Sequence, residues 1–326
     1  MLQLDYLAVE AAASRLESAP QIALGVLGFP ELPAISTRTV PAAGVGMFVA
    51  NSDVHLCELW TSSEPVVHGS RGRIRHSACG ELLFGIVSSP ESDGSIEARS
   101  RSLYEEIFAL LQDDFHHHVL RFWNYISGIN DDEAGTERYR LFNVGRHAAF
   151  EAAGRLRPET IPAASALGTQ AGGDLTVCFL ASREPGRQVE NPRQVHAWQY
   201  PRQYGARSPT FSRALAYPFN DPSLLFVSGT ASIVGHQTLH VGDVAGQVRE
   251  TMANLDSIFV EASKLGAFHL ANAELKAYVR DPAYAPAVEQ GVRDIVGKDA
   301  RVICLVSDIC RADLLVEIEA FCPLVN

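Results

Sequence analysis

The residues best suited to chemistry lie near the C-terminus, in DLLVEIEAF from Asp313 to Phe321. On a strand, side chains alternate between faces, so Glu317 and Glu319 share one face and Val316 and Ile318 the other. A carboxyl set among apolar neighbours is partly buried, and burial raises its pKa towards neutrality. Such a group can serve as a general acid near pH 7. The same pattern also fits the wet face of an edge strand, and the residues alone do not separate the two. Cys310, seven positions before Glu317, reads by itself as a small core residue. A second cluster lies in YPRQYGARSPTFSR, where Arg202, Arg207 and Arg213 alternate with Tyr200, Tyr204 and Phe211. Guanidinium groups stay charged and hold carboxylates through paired hydrogen bonds. Arg207 and Arg213, with Arg146 in FNVGR, are therefore candidate anion ligands, with Tyr200 and Tyr204 as hydroxyl donors. Each could equally tie loops together.

Other tempting features are weaker. His116, His117 and His118 are consecutive, and consecutive residues of a helix point in different directions, which makes a poor chelate. The cysteines number six and form no CxxC pair, so no zinc spacing is present. The glycines of GIN and GTASI form neither a dinucleotide fingerprint nor a phosphate loop. A net charge of −11 argues against a nucleic-acid or anionic-membrane surface, although a local arginine cluster can still hold a small anion. No stretch has the roughly 18 apolar residues of a membrane span. The N-terminal MLQLDYLAVEAAASRLE lacks a basic segment followed by an apolar one, so no signal peptide is expected and a cytoplasmic location is.

The elements that must position these groups occur twice. ELLFGIVS (81–88) reads as a buried strand, followed by the loop SPESDGS and a helix from about Ile96 to Leu120. Far downstream, SLLFVSGTASI reads as a strand, VGHQTLHVGD as a loop, and Asp243 as the cap of a helix to about Leu265, closed by Gly266. Val244, Val248, Met252, Leu255 and Ile258 form its apolar stripe. After both helices come a strand, a second helix (136–155 and about 283–296) and a strand, DLTVCFLAS or ARVICLVSDI. The first 40 residues, rich in proline, predict a strand and loops. The fold class is therefore α/β (α+β): two related units, each a mixed β-sheet with helices packed on one face. The expected units are 1–190 and 191–326, the second carrying Glu317.

FSRAL, LLFVSGTASI, VGDVAGQVRETMANLDSIF and DLLVEIEAF make the second half resemble the Rid/YjgF-like deaminases. In that family the first glutamate of VEIEA handles protons or water, which implies Glu317. Its carboxylate-gripping arginine falls nearest to Arg301. A longer resemblance is carried by FWNYISGIN, RYRLFNVGR, ENPRQVHAWQYPRQYG, SPTFSRA, SGTASIVGH and DICRADLLVEIEA, from about Trp60 to Phe321. Together these are similar to the chorismatases, enzymes of Rid-like fold that release pyruvate from chorismate. The resemblance implies Glu317 as the acid that protonates the enolpyruvyl methylene. It implies Cys310 and Gly229 as markers of 3-hydroxybenzoate formers, with 4-hydroxybenzoate as a possible second product. Arg207, Arg213, Arg146, Tyr200 and Tyr204 would hold the substrate, and no cofactor or metal is expected. Three alternatives stay open: simple hydrolysis to a dihydroxycyclohexadiene carboxylate, imine deamination, and metabolite binding without catalysis. Monomer and homotrimer are both compatible with a doubled chain.

Overall fold

The computed structural model describes residues 2–32, 39–50, 52–218, 221 and 223–324. The chain opens with β1 (Leu2–Ala8), α1 (Val9–Ser18), β2 (Ala23–Phe29), β3 (Ala42–Gly44) and β4 (Leu56–Ser62). These strands form a four-stranded sheet in the order β1-β4-β2-β3. The proline-rich start is thus more regular than its sequence suggests, because β2, ALGVLGF, is buried along its whole length. Positions 33–38, inside the segment expected to be loop, lie outside the described residues.

The doubling is explicit in the remainder. The first unit runs β5 (Val67–Arg71), β6 (Ile74–Cys79), β7 (Leu82–Ser89), α2 (Ile96–Asp113), β8 (His118–Ser127), α3 (Arg138–Ala152), β9 (Ala163–Thr169) and β10 (Leu175–Ser182). The second runs β11 (Arg187–Val189), β12 (Ala214–Tyr217), β13 (Leu224–Ala231), α4 (Val244–Ala262), β14 (Glu274–Val279), α5 (Ala285–Val296), β15 (Arg301–Val306) and β16 (Val316–Pro323). The sheets are ordered β9-β8-β10-β7-β6-β5 and β15-β14-β16-β13-β12-β11, the same arrangement twice. Each has one parallel pair, β8 with β9 and β14 with β15. Each is extended by a short strand from elsewhere: Asp308–Ile309 beside β9, and Phe48–Val49 beside β15.

Local chemistry sets the helix ends. Ser95 and Asp243 accept backbone N–H bonds from Ala98 and Gly246 at 3.3 and 3.0 Å, capping α2 and α4. α2 ends at Asp113, short of the expected Leu120, because the Asp114 carboxylate takes the His116 N–H at 2.9 Å and turns the chain into β8. α4 ends at Ala262, before Gly266. Its continuation tightens into i→i−3 bonds, Lys264 N–H to Glu261 and Leu265 N–H to Ala262.

Helices cover one face of each sheet. α2 and α3 pack on Phe122, Val177 and Phe179 of the first, and α4 and α5 on Leu225, Leu275 and Ile318 of the second. The opposite faces meet in one core with the N-terminal sheet: Leu27 and Trp60, Trp123 and Leu180, and Phe226 and Phe321 belong to the same cluster. Among the described residues, no helix is long and apolar enough to cross a membrane.

Candidate active site

β16 is a central strand, hydrogen-bonded to both β13 and β14. Its even-numbered residues Val316, Ile318, Ala320 and Cys322 enter the core beneath the helices. Glu317 and Glu319 therefore point the other way, between the sheets, where they are 4% and 5% exposed. Burial, reinforced by the negative charge of Glu319 and opposed by Arg121, pushes the Glu317 carboxyl up to about 8. Burial also opposes ionisation of Glu319. Lys276 at 2.9 Å and Arg121 at 2.8 Å outweigh it and hold Glu319 below the usual carboxylate range. Adjacent carboxyls are thereby set apart, one a proton donor and the other a fixed anion.

A break in the ladder creates room for Glu317. The pairing of β13 with β16 shifts between Val227 and Thr230, leaving Ser228 and Gly229 as a bulge. The Ser228 hydroxyl donates to Ser212 O at 2.6 Å and accepts from Ala164 N–H at 2.8 Å. Gly229 N–H donates to Ser165 Oγ at 3.0 Å. The bonds from Ala164 and to Ser165 stitch the second sheet to β9 of the first. Gly229 is required by close approach, since a β-carbon there would sit 1.8 Å from Glu317 Oε1.

The opposite wall comes from the first unit. Tyr139, Phe142, Asn143 and Arg146 lie along one face of α3 and line the cleft with Asn124, Ser165, Phe211, Gly229, Cys310 and Glu317. Arg146 is buried over the rings of Tyr104, Phe122 and Phe150, with Nε and Nη2 lacking hydrogen-bond partners. Buried donors without acceptors are costly unless an anion completes them. The short strand beside β9 carries Cys310 across the seam, 3.9 Å from Glu317 Oε2. Burial, and then the charge of Glu317, raise the Cys310 thiol, so it stays neutral.

Arg213 stacks on Phe211 and donates to Tyr200 Oη and Val195 O, both at 2.8 Å, while its Nε has no partner. Tyr204 meets His236 at 3.2 Å. Arg311, which the sequence reading missed, lies 3.9 Å from the Tyr204 ring centre and keeps Nη2 unpartnered. The structure thus gathers Glu317, Cys310, Gly229 and Arg146 around one cleft and sets Arg213, Tyr200 and Tyr204 behind Phe211. Arg207 is not brought there. It is exposed and close enough to His147 to lower that imidazole's pKa, after burial. Arg301 also lies elsewhere, tied to Glu274 at 2.7 Å and Asn272 O at 2.8 Å, on a cleft of about 780 Å³.

The cleft encloses about 30 Å³, room for a water or two. A larger ligand must displace part of its wall, and Phe211, on a long connection between β11 and β12, belongs to the least regular part. Of the two units, the second carries this carboxyl. Glu317 pairs with Tyr278 across β16 and β14, whereas in the first unit Thr176 takes that place opposite Tyr125. His116 is bound to Asp114 and Gly80 O. Among the described residues, no group of three or more His, Cys, Asp or Glu could hold a metal ion.

A family model described as "Chorismatase FkbO/Hyg5-like, N-terminal" matches residues 58–181. The chain is 38% identical over 283 residues to a 3-hydroxybenzoate synthase of Streptomyces hygroscopicus, covering 83% of this chain and 82% of that one. It is 39% identical to a chorismatase of Streptomyces rapamycinicus, covering 82% of each. A solved chorismatase structure superposes with a TM-score of 0.88 at 32% identity, covering 99% of this chain and 98% of that one.

Proposed function

This chain belongs to the chorismatase family, and from that premise we propose that it cleaves chorismate to pyruvate and 3-hydroxybenzoate, with Glu317 as the acid. The observation that carries the reading is a carboxyl buried beside a fixed anion, its pKa pushed up to about 8, and walled by the unpaired guanidinium nitrogens of Arg146. Glu317 delivers its proton to the terminal methylene carbon of the enolpyruvyl group, giving an oxocarbenium ion. The neighbouring ring hydroxyl then attacks the ring carbon that bears the ether, its own proton returning to the Glu317 carboxylate as the C–O bond breaks and pyruvate leaves. The resulting arene oxide opens and loses a ring proton to give the hydroxybenzoate. Every atom of chorismate ends in one of the two products, so no water is consumed and no redox cofactor is called for. Opening of the oxide at the other carbon gives 4-hydroxybenzoate as a minor product.

Arg146, with two unpaired nitrogens in the cleft, and Arg213 behind Phe211 are the groups we assign to the two carboxylates. Tyr200 and Tyr204 hold Arg213 and Arg311 in place. Arg207, exposed and outside the cleft lining, is assigned no contact with the substrate. Six free cysteines, five of them buried, suit a reducing compartment, and we place the protein in the cytoplasm.

Purified protein given chorismate without added cofactors is expected to release pyruvate in an amount equal to the hydroxybenzoates together, 3-hydroxybenzoate predominating, by chromatography. No release of pyruvate would overturn the assignment. Because the protonated form is the active one, kcat/KM is expected to be level below neutrality and to fall tenfold per pH unit above about 8. A profile that instead rises through that range would exclude Glu317 as the acid. Cys310 fills the space beside Glu317 Oε2, so Cys310→Ala is expected to admit water and move product from 3-hydroxybenzoate towards the dihydroxycyclohexadiene carboxylate. An unchanged product ratio would remove Cys310 from the control of product type.

A further inference from the structure

Behind Glu317 runs a line of buried charges drawn from all three sheets. Glu58 on β4 meets Lys276 on β14, Lys276 meets Glu319 on β16 at 2.9 Å, and Glu319 meets Arg121 on β8 at 2.8 Å. All four side chains are at most 7% exposed. The anions are further fixed by neutral donors: Trp60 Nε1 gives to Glu58 at 2.7 Å, Trp123 Nε1 to Glu319 at 3.0 Å and Ser165 Oγ to Glu319 at 2.6 Å. Two carboxylates stand against two cations, so the line is neutral when Glu317 is neutral. Removing Glu58 from this balance leaves a net positive charge in the interior, which favours an ionised Glu317 and so withdraws the proton it must donate. Glu58 lies outside both repeated units, which gives the N-terminal sheet a chemical task as well as a packing one.

We propose that Glu58, Lys276, Glu319 and Arg121 form a charge-balanced line whose last anion, Glu319, keeps the proton on Glu317, making Glu319 and Glu58 positioning residues for the acid. This rests on Glu317 being the acid of chorismate cleavage. The groups facing Glu317 are Glu319 on its own strand, Cys310 on the preceding segment, Arg121 on β8, Arg213 ahead of β12, Tyr139 and Arg146 on α3, and Tyr278 on β14. β13, LLFVSGTA, has no titratable residue, and Arg311 turns away to His236 O and the Tyr204 ring. Of these, Glu319 is the one whose charge opposes ionisation of Glu317 and is itself clamped by two cations.

The test compares the full-length protein with Glu319→Gln, Glu319→Asp and Glu58→Gln by two readouts. One is the pH profile of kcat/KM for chorismate. The other is infrared titration of the Glu317 carboxyl in the free protein, identified by its absence in Glu317→Gln. Glu319→Gln is expected to move both the falling limb and the titration about one pH unit or more to lower pH, with activity recovered in acid. Glu58→Gln should move them the same way by less, and Glu319→Asp should restore the wild-type position. Glu58→Gln keeps the size and the acceptor for Trp60, so it decides the matter if Glu319→Gln does not fold. A uniform loss of activity with limb and titration unmoved would make the line structural only and overturn the proposal. Should chorismate not be turned over at all, the assigned function fails, while the infrared titration still judges the charge line.

Discussion

Glu317→Gln is expected to leave a folded protein whose kcat for pyruvate release from chorismate is about 10³-fold lower, with little change in KM. The amide matches the carboxyl in shape but has no proton acidic enough for carbon. The cleft is shaped by Tyr139, Phe142, Asn143, Arg146 and Phe211, none of which needs the Glu317 charge. A second measurement separates this loss from damage to the fold. In the unfolded chain the Glu317 carboxyl ionises near 4.5, and in the folded protein near 8. Below 4.5 both states are protonated, so its burial carries no ionisation penalty. As pH rises from 4.5 to 8, the unfolded state loses a proton that the folded state keeps, and stability falls by about 1.4 kcal/mol per pH unit, about 5 kcal/mol in all. Glutamine escapes this penalty. The variant should therefore melt above the wild type at pH 8 and above, and together with it near pH 4. A variant that loses activity and melts lower at pH 8 would show Glu317 to be a structural carboxylate.

Gly229→Ala should cost about 10²-fold in kcat while the protein still folds. The new methyl group meets Glu317 Oε1 at 1.8 Å and Ser165 Oγ at 3.2 Å. The Glu317 carboxyl ends a flexible side chain, so it yields before the bulge does and swings away from the place where it donates its proton. The expected outcome is a lower kcat, a nearly constant KM and a product mixture shifted away from 3-hydroxybenzoate, read by chromatography. Unchanged turnover and products would mean that the exact placement of the carboxyl beside Gly229 is immaterial.

The doubled order of strands and helices was legible because hydrophobic period, Asp243 as a cap and the apolar stripe of α4 are local signals. So was the shared face of Glu317 and Glu319, which follows from alternation along a strand. The partners of Glu319 were not. Arg121 and Glu58 are isolated charges in the apolar runs HVLRFW and LCELW, and Lys276 follows Glu274 in ELKAYV. Their oddity was visible, but Arg121 meets Glu319 across 198 residues and Lys276 meets Glu58 across 218. No local rule pairs groups so distant. Arg207 lies exposed and outside the cleft lining, and nothing in an alternation of arginine and tyrosine says which members turn inward. Arg311 was not legible because its packing on Tyr204 joins residues more than 100 positions apart. The regularity of β2 was obscured by prolines and short runs, this strand being held mainly by the shared core.

That shared core joins three sheets of one polypeptide around Trp60, Trp123 and Phe321. Covalent continuity replaces mass action: the groups around Glu317 remain at a fixed effective concentration however dilute the protein becomes. Sequence drift is also decoupled among the three sheets, because a substitution enters only one of them. The first unit could thus carry Thr176 where the second carries Glu317, so the two sheets present different side chains at matching places.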